Sequence, residues 1–358
     1  MPPSRKLLLI STSVGALGTG QGGGVELTVQ NVAQELQKRG HQLEVVAPKG
    51  STLIGIPVTE IPGTLQTAVQ TQGRDVPICM PKNPVLGNMW DYARQVQHRY
   101  DLIVNFAFDW LPFYLAPFFE TKIAQFISMG SMSEALDEVM NKVAQEYPNC
   151  IGMYTQAQAD TFPFAGKCQL LSSAVDLSLY DFVPNPEAKM AWLGRIAPEK
   201  ALEDAVAAAQ TTGILLEIYG KIQDEAYWQQ IQQDFPNAPI EYKGFLPTQE
   251  LQQALGKAQA LIMTPRWVEA FGNVAIEALA CGVPVIAYSR GGPAEIVRDG
   301  KTGFLVEPDS VEGLVTAMKN IQQIDRAACR HQAETEYSLE VLGDNFEAWF
   351  ELILNRSK

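Results

Sequence analysis

Histidine is scarce in this chain and cationic charge is in short supply. Its 358 residues include three histidines, and 27 Lys and Arg stand against 40 Asp and Glu, for a net charge of −13. Five cysteines (Cys79, Cys150, Cys168, Cys281, Cys329) lie scattered without a Cys-x-x-Cys pair. With so few histidines this leaves no zinc-type ligand pattern, and no metal is expected. The same odd, dispersed set fits reduced thiols, so the expected location is cytoplasmic. The acidic balance argues against nucleic acid and against an anionic membrane surface as partners. No apolar run approaches the ~20 residues that span a bilayer, so no stable membrane association is expected. The opening Arg5-Lys6-Leu7-Leu8-Leu9-Ile10 has too short an apolar core for a signal peptide and reads as a first buried strand. Nothing in the sequence fixes an oligomeric state.

The chain is too long for one ordinary core and suits two domains. Its charge is uneven: residues 1–175 carry 12 basic and 14 acidic side chains, whereas residues 176–358 carry 15 and 26. The first half alternates strand-like runs (Leu7–Ser11, Leu43–Ala47, Asp101–Asn105, Ile123–Ser128, Cys150–Thr155) with helical patterns such as Val25–Arg39. Ser51 to Gly87, interrupted by Gly and Pro, reads as long loops. After the Pro-rich link Val183-Pro184-Asn185-Pro186 the rhythm resumes. Its strands are Met190–Leu193, Leu215–Tyr219, Ile240–Tyr242, Ala260–Met263 and Pro284–Ala287, with helices over Glu203–Gln210, Thr248–Leu255 and Ser310–Ile321. Strands alternating with helices imply an α/β fold of two doubly wound, Rossmann-like domains, whose carboxyl edges would face each other across a cleft.

The most informative stretch runs from Thr264 to Cys281. A strand end opens onto the loop Pro265-Arg266-Trp267-Val268-Glu269-Ala270-Phe271-Gly272, and Asn273 starts a helix that Gly282 closes. A helix N-terminus favours a phosphate. Glu269 precedes that terminus and Glu277 lies within the helix; carboxylates there suit hydroxyl groups on either side of a diphosphate. From spacing alone, a capping acid and a solvent-facing Glu fit equally well. Arg195, directly after a strand, and Lys200, at the opening of the next helix, lie at the same carboxyl edge, where cations can hold a diphosphate. Gly291-Gly292 follows another strand and allows close backbone approach. The loop Gly15–Gly24 contains Gly18-Thr19-Gly20-Gln21-Gly22-Gly23, a formal dinucleotide fingerprint. The acid that the fingerprint needs at the end of the second strand is missing there: Glu44 lies inside the strand, before Ala47-Pro48-Lys49.

Gly194-Arg195…Lys200, Lys243-Gly244-Phe245-Leu246, Glu269…Glu277 and Gly291-Gly292…Glu295, in that order, resemble the retaining GT-B glycosyltransferases of family four. The resemblance is strongest from Met190 to Pro308; the N-terminal half joins it through Gly22-Gly23-Gly24 and Val175-Asp176. It implies an N-terminal acceptor-side domain over residues 1–180, a nucleotide-sugar-binding domain over 187–338, and a final helix in 339–358 that crosses back to the first domain. It also implies that domain closure assembles the site. Arg195 and Lys200 would bind the diphosphate, and Glu269 would contact sugar hydroxyls. Phe271, Gly272 and Asn273 would place backbone around the sugar, with Val274 by the phosphates. Glu277 would hold the ribose, Phe245 would border the base, and Gly22, Gly23 and Gly24 would close over the diphosphate. Such enzymes retain anomeric configuration and use no metal or other cofactor, only a nucleotide sugar (UDP-glucose is expected) and a small acceptor.

One departure stands out. A His that such enzymes carry near the end of the strand reading Gln125-Phe126-Ile127-Ser128-Met129-Gly130 is replaced here by Met129 or Gly130, and a second by Phe108. Asp109 then becomes a candidate for orienting the acceptor, with a helix-capping role equally open. Of the aromatics Phe106, Phe108, Trp110, Phe113, Tyr114, Phe118 and Phe119, most should be core, while two or three at a rim could stack on a flat acceptor. In its neutral first half and missing His the chain resembles the pteridine glucosyltransferase branch of the family. Two alternatives stand beside this reading: an NAD-dependent oxidoreductase, on the Gly18–Gly23 match, and a non-catalytic nucleotide-sugar-binding protein.

Overall fold

Short runs of branched aliphatic residues, each followed by a helix with one apolar face, build two separate parallel sheets. The computed structural model describes residues 3–19, 23–69 and 73–355. It divides into one unit of Met1–Ser173 with Leu339–Lys358 and a second of Ala174–Ser338, so residues 174–180 go with the second unit and not with the first.

The first unit holds β1 (Lys6–Ile10), β2 (Gln42–Pro48), β3 (Val58–Ile61), β4 (Leu102–Asn105), β5 (Ile123–Phe126), β6 (Ile151–Met153) and β7 (Gln169–Leu170). Their order across the sheet is β3-β2-β1-β4-β5-β6-β7, with every pairing parallel. Leu7, Leu8, Leu9 and Ile10 are all fully buried, which explains why β1 reads as a continuous apolar run: helices cover both faces of a central parallel strand. Burying each such side chain contributes about 1.5–3 kcal/mol. The helix Gly24–Lys38 buries Val29, Val32, Ala33 and Leu36, a stripe at helical spacing.

The final helix, Leu339–Leu354, belongs to this unit and seats Phe346, Trp349, Phe350 and Ile353 in its core. Arg39 fixes its outer side, donating to Asp344 (2.7 Å), Glu347 (2.6 Å) and the Glu340 carbonyl (2.7 Å), and His41 meets Glu347 at 2.9 Å. Ser51–Gly87 is not all loop. The edge strand β3 lies within it and the helix Val85–Val96 begins in it. β3 escaped notice because it pairs only with β2 and keeps Glu60 exposed, so no apolar run marks it.

The second unit holds β8 (Lys189–Leu193), β9 (Leu215–Tyr219), β10 (Ile240–Gly244), β11 (Leu261–Met263), β12 (Val285–Tyr288) and β13 (Gly303–Val306), in the parallel order β10-β9-β8-β11-β12-β13. β13 lies outside the expected strands because the Asp-Gly and Thr-Gly turns hide a four-residue edge strand paired only with β12. In both sheets the winding reverses beside the first strand, between β1 and β4 and between β8 and β11. Such a switch point leaves a crevice at the carboxyl ends, where ligands bind folds of this kind.

Candidate functional site

The β8/β11 switch point gathers the charged residues of the second unit. After β8 the chain turns through Gly194 and Arg195 into a 3-10 turn, Pro198–Lys200. Ala201 then takes a left-handed φ of 45° before the helix Leu202–Thr212, so Lys200 is delivered at a sharp corner. Thr264, directly after β11, ties this corner down. Its hydroxyl meets the carbonyls of Lys200 (2.9 Å) and Ala201 (2.8 Å) and the indole N–H of Trp192 (3.2 Å). The Arg266 amide donates to the Glu199 carbonyl at 2.9 Å, joining the two loops a second time.

Lys200 forms an ion pair with Glu269, and the two side chains are only 19% and 18% exposed. The Trp267 indole donates to the same Glu269 oxygen at 2.9 Å. Its ring lies 5.0 Å from the Lys200 ammonium and 5.9 Å from the Arg195 guanidinium, within cation–π range. Burial pushes the Glu269 carboxyl up, but the charge and hydrogen bond of Lys200, the Trp267 indole and Arg195 outweigh it and hold Glu269 below the ordinary carboxylate range. Arg195 is braced by Glu199 at 3.1 Å and by Gln223.

The next helix, Asn273–Ala280, starts from Gly272, whose φ of 98° suits glycine. Phe271 is buried and meets Tyr337 edge-on at 6.0 Å, so its ring anchors the turn. Gly291-Gly292 serves this loop. The Gly292 amide donates to the Glu269 carbonyl at 2.7 Å, and a Cβ on Gly291 would stand 2.6 Å from the Glu269 backbone. These glycines admit the chain's own Glu269–Phe271 backbone, a closer need than approach to a ligand.

Glu277 lies on the same helix with a different environment. Burial lifts its carboxyl to about 7, only partly offset by a hydrogen bond to the Tyr180 hydroxyl. Tyr180 is itself buried, and Arg330 pins its carbonyl (2.7 Å) and that of Ala280 (2.6 Å) together. Val274 is half-buried beside Asn273 at the helix start, and Phe245 is 59% exposed beyond β10 with the Lys221 ammonium 4.7 Å from its ring. The sequence reading missed Trp267 and Tyr180. Trp267 had a signal, since a loop residue two places before Glu269 points to its side; Tyr180 had none, being distant in the chain.

In the first unit, Gly23 (φ 67°) caps and Gly24 opens the first helix, while Gly22 lies outside the described residues. The Gly18 amide donates to Glu26 at 3.0 Å. Glu44, the acid nearest to a fingerprint role, is held inside the sheet by Tyr92, Tyr100 and Thr59 and is not offered at a strand end. Asp109, just beyond β4, does cap the helix Trp110–Leu115, and it also accepts from Gln66 at 3.2 Å. Burial raises its pKa against those hydrogen bonds. Asp109 and Trp110 line a pocket of about 300 Å³; Phe108, packed against the core, and Met129, whose carbonyl accepts from Gln158 at 3.0 Å, do not. Phe106 and Phe113 are buried, whereas Trp110 stacks on the exposed Tyr114 at 4.3 Å.

Comparison with known proteins follows the same division. Residues 182–336 match the family "Glycosyl transferases group 1", and residues 22–127 match "Glycosyltransferase Family 4". A sulfoquinovosyl transferase of Arabidopsis thaliana is 32% identical over 140 residues, 36% of this chain and 25% of that protein. A D-inositol 3-phosphate glycosyltransferase of Rhodococcus erythropolis is 41% identical over 96 residues, 24% of this chain and 22% of that one. A glycogen synthase of Mycobacterium tuberculosis is 32% identical over 152 residues, 41% and 36%. The chain thus spans about a third or less of the length of these curated relatives. Among solved structures, Anabaena HepE with UDP and glucose superposes with a TM-score of 0.75 at 18% identity, covering 97% of this chain and all of that one. Sucrose-phosphate synthase of Thermosynechococcus elongatus gives 0.76 at 19%, covering 99% and 100%. None of this supports the oxidoreductase alternative, and Glu44 is hydrogen-bonded within the sheet, away from a strand end. Two glycosyltransferase family models thus match in chain order, on a fold of two parallel-sheet Rossmann-like halves that matches GT-B glycosyltransferase structures.

Proposed function

We propose that the chain is a retaining glycosyltransferase that moves a hexose, glucose from UDP-glucose, to a hydroxyl of a small soluble acceptor, a planar heterocycle such as a pterin among them. The observation that carries this reading is the Lys200–Glu269–Trp267 cluster with Arg195 at the β8/β11 crevice, beside a helix N-terminus. Two cations and a helix dipole favour a diphosphate, and the carboxylates of Glu269 and Glu277 accept hydrogen bonds from hydroxyls of the sugar and the ribose. In the transfer, the acceptor oxygen bonds to the anomeric carbon as the bond from that carbon to the phosphate oxygen breaks. The acceptor proton passes to the departing phosphate. Charge grows on that phosphate, so Lys200 and Arg195 stabilise the transition state more than the bound donor. Lys200 is already desolvated and aimed by Glu269, so little rearrangement is left to the reaction. The complex of HepE with UDP-glucose, on the same fold, supports the choice of donor.

The test is a thermal-shift panel of nucleotide sugars, followed by product analysis. At a hundredfold excess over Kd a ligand adds about 2.7 kcal/mol of stability, well above detection. UDP and UDP-glucose should stabilise the protein, and the product should keep the donor's anomeric configuration by NMR. A protein stabilised by no nucleotide sugar overturns the reading, and an inverted product overturns retention.

A further inference from the structure

Asp309 stands just beyond β13 with a left-handed φ of 65°, a conformation that aspartate tolerates and glycine prefers. The helix that follows, Val311–Asn320, is capped by the Ser310 hydroxyl and makes no use of the Asp309 side chain. That side chain holds Arg290, just beyond β12, through both carboxylate oxygens, at 2.8 and 3.3 Å. The same guanidinium donates to the Pro265 carbonyl at 3.0 Å, where the loop carrying Trp267 and Glu269 begins. Arg266, next in that loop, reaches a second anchor. It pairs with Glu203 and, at 3.3 Å, with Asp204, in the first turn of the helix that follows Lys200. Its Nε also lies 4.0 Å from Asp309. Tyr288, fully buried at the end of β12, donates its hydroxyl to Asp204 at 2.8 Å and aims that carboxylate. Exposed ion pairs contribute little singly, but a bidentate arginine within a network fixes geometry. A residue held outside the common backbone regions while its side chain grips a partner points to a local task.

We infer that Asp309, through Arg290 and Arg266, is a positioning residue: it fixes the Pro265–Glu269 loop against the Lys200 corner, so that Glu269 and the Trp267 indole meet the Lys200 ammonium. For what the loop does, this rests on the glycosyltransferase reading above; for what holds the loop, it stands on the ion pairs alone. Lys200 and Glu269 are 69 residues apart in the chain, and their meeting depends on how the backbone from Pro265 to Glu269 is set. Misplacing oriented groups by about 1 Å can slow a reaction by about a hundredfold. Without the Asp309 carboxylate, Arg290 is free to leave the Pro265 carbonyl, and Arg266 answers to Glu203 and Asp204 alone. No sequence motif marks Asp309, because a glycine would serve its turn as well.

The experiment compares wild type, Asp309→Gly and Asp309→Asn in amide hydrogen exchange and in UDP release from UDP-glucose with water as acceptor. Asp309→Gly suits the left-handed backbone and removes the carboxylate, so the melting temperature should change little. The amides to follow are those of Arg266 and Gly292, hydrogen-bonded to the Glu199 and Glu269 carbonyls. In Asp309→Gly both should exchange at least fivefold faster, with exchange elsewhere in the unit as in wild type. Its kcat should fall at least fivefold while KM for UDP-glucose stays within twofold. Asp309→Asn, which keeps one acceptor for Arg290, should fall between the two. Unchanged exchange at these amides, faster exchange throughout the unit, a kcat within twofold of wild type, or a lowered melting temperature with kcat intact would each overturn the inference and leave the donor reading standing. Wild-type protein that binds no nucleotide sugar sinks the donor reading instead, and the exchange comparison then decides by itself whether Asp309 holds the loop.

Discussion

The two switch-point crevices share a topology and differ in almost everything that fills them. In the second unit, Arg195, Lys200, Glu269 and Trp267 form a polar cluster in which each charge has a partner, and the loops carrying them are tied together by Thr264, Arg266 and Gly292. In the first, the Asp109 carboxylate and the Gln66 amide that donates to it lie among apolar walls. The diphosphate is common to nucleoside-diphosphate sugars and favours fixed cations, whereas acceptors vary, and a small apolar pocket can be retuned by single substitutions. Charged, braced loops at one crevice and apolar walls at the other are the difference that the comparison teaches.

The comparison is broken most directly at Lys200. Lys200→Ala should lower turnover with UDP-glucose by about 10²–10³-fold, the usual loss when one transition-state stabiliser is removed, and should also lower thermal stability, because Glu269 loses the partner that holds its carboxyl down. Near-normal kcat would show that the charged crevice does not carry the chemistry. Next in size is Trp267→Phe, which keeps the ring over Lys200 and removes the N–H that meets Glu269. A hydrogen bond to a charged group contributes about 1.5–3 kcal/mol, so kcat should fall at least about tenfold; an unchanged kcat would reduce Trp267 to packing.

A smaller effect is expected from pH. Glu277 is neutral below about 7 and ionised above it, and the ionised form is the better acceptor for ribose hydroxyls. UDP should therefore bind more tightly as pH rises through about 7, and Glu277→Gln should flatten that dependence; a wild-type affinity independent of pH contradicts the assignment. The same raised pKa means that the free protein binds a proton here that the unfolded chain has released. Its contribution is therefore fully present below the unfolded value and is lost as pH rises through about 7. Smallest of all is chelation: EDTA should leave turnover unchanged, and a loss that Mg²⁺ or Mn²⁺ restores would show that the two cations do not suffice.

Much of the second unit could be read from its sequence because its requirements are local. Strand, turn and helix follow one another between Met190 and Lys200 and again between Leu261 and Ala280, and a diphosphate site needs its cations and helix start at those junctions. The pocket of the first unit was only half visible. Asp109 follows β4 and could be picked out, but Gln66 comes from a segment broken by Gly and Pro, where no periodicity says which side chain turns inward. Phe108 and Met129 illustrate the converse. Their positions matched a motif from which the motif's own residue was missing, and the fold spends one on packing and uses the other's carbonyl to hold Gln158.

By itself the sequence determined the class of fold, two doubly wound halves, and the edge of the second on which the charged residues collect. Hydrophobic period and turn chemistry act over a few residues and leave their mark in order along the chain. Only the tertiary structure decided what each residue meets: that Glu269 is paired with Lys200 and Trp267, that Glu277 is half-buried against Tyr180 with its carboxyl lifted to about 7, and that Gln66 is held to Asp109. Those contacts join residues far apart in sequence, and burial, which sets the cost of a charge or of an unmade hydrogen bond, is a property of the packed chain and not of any segment in it.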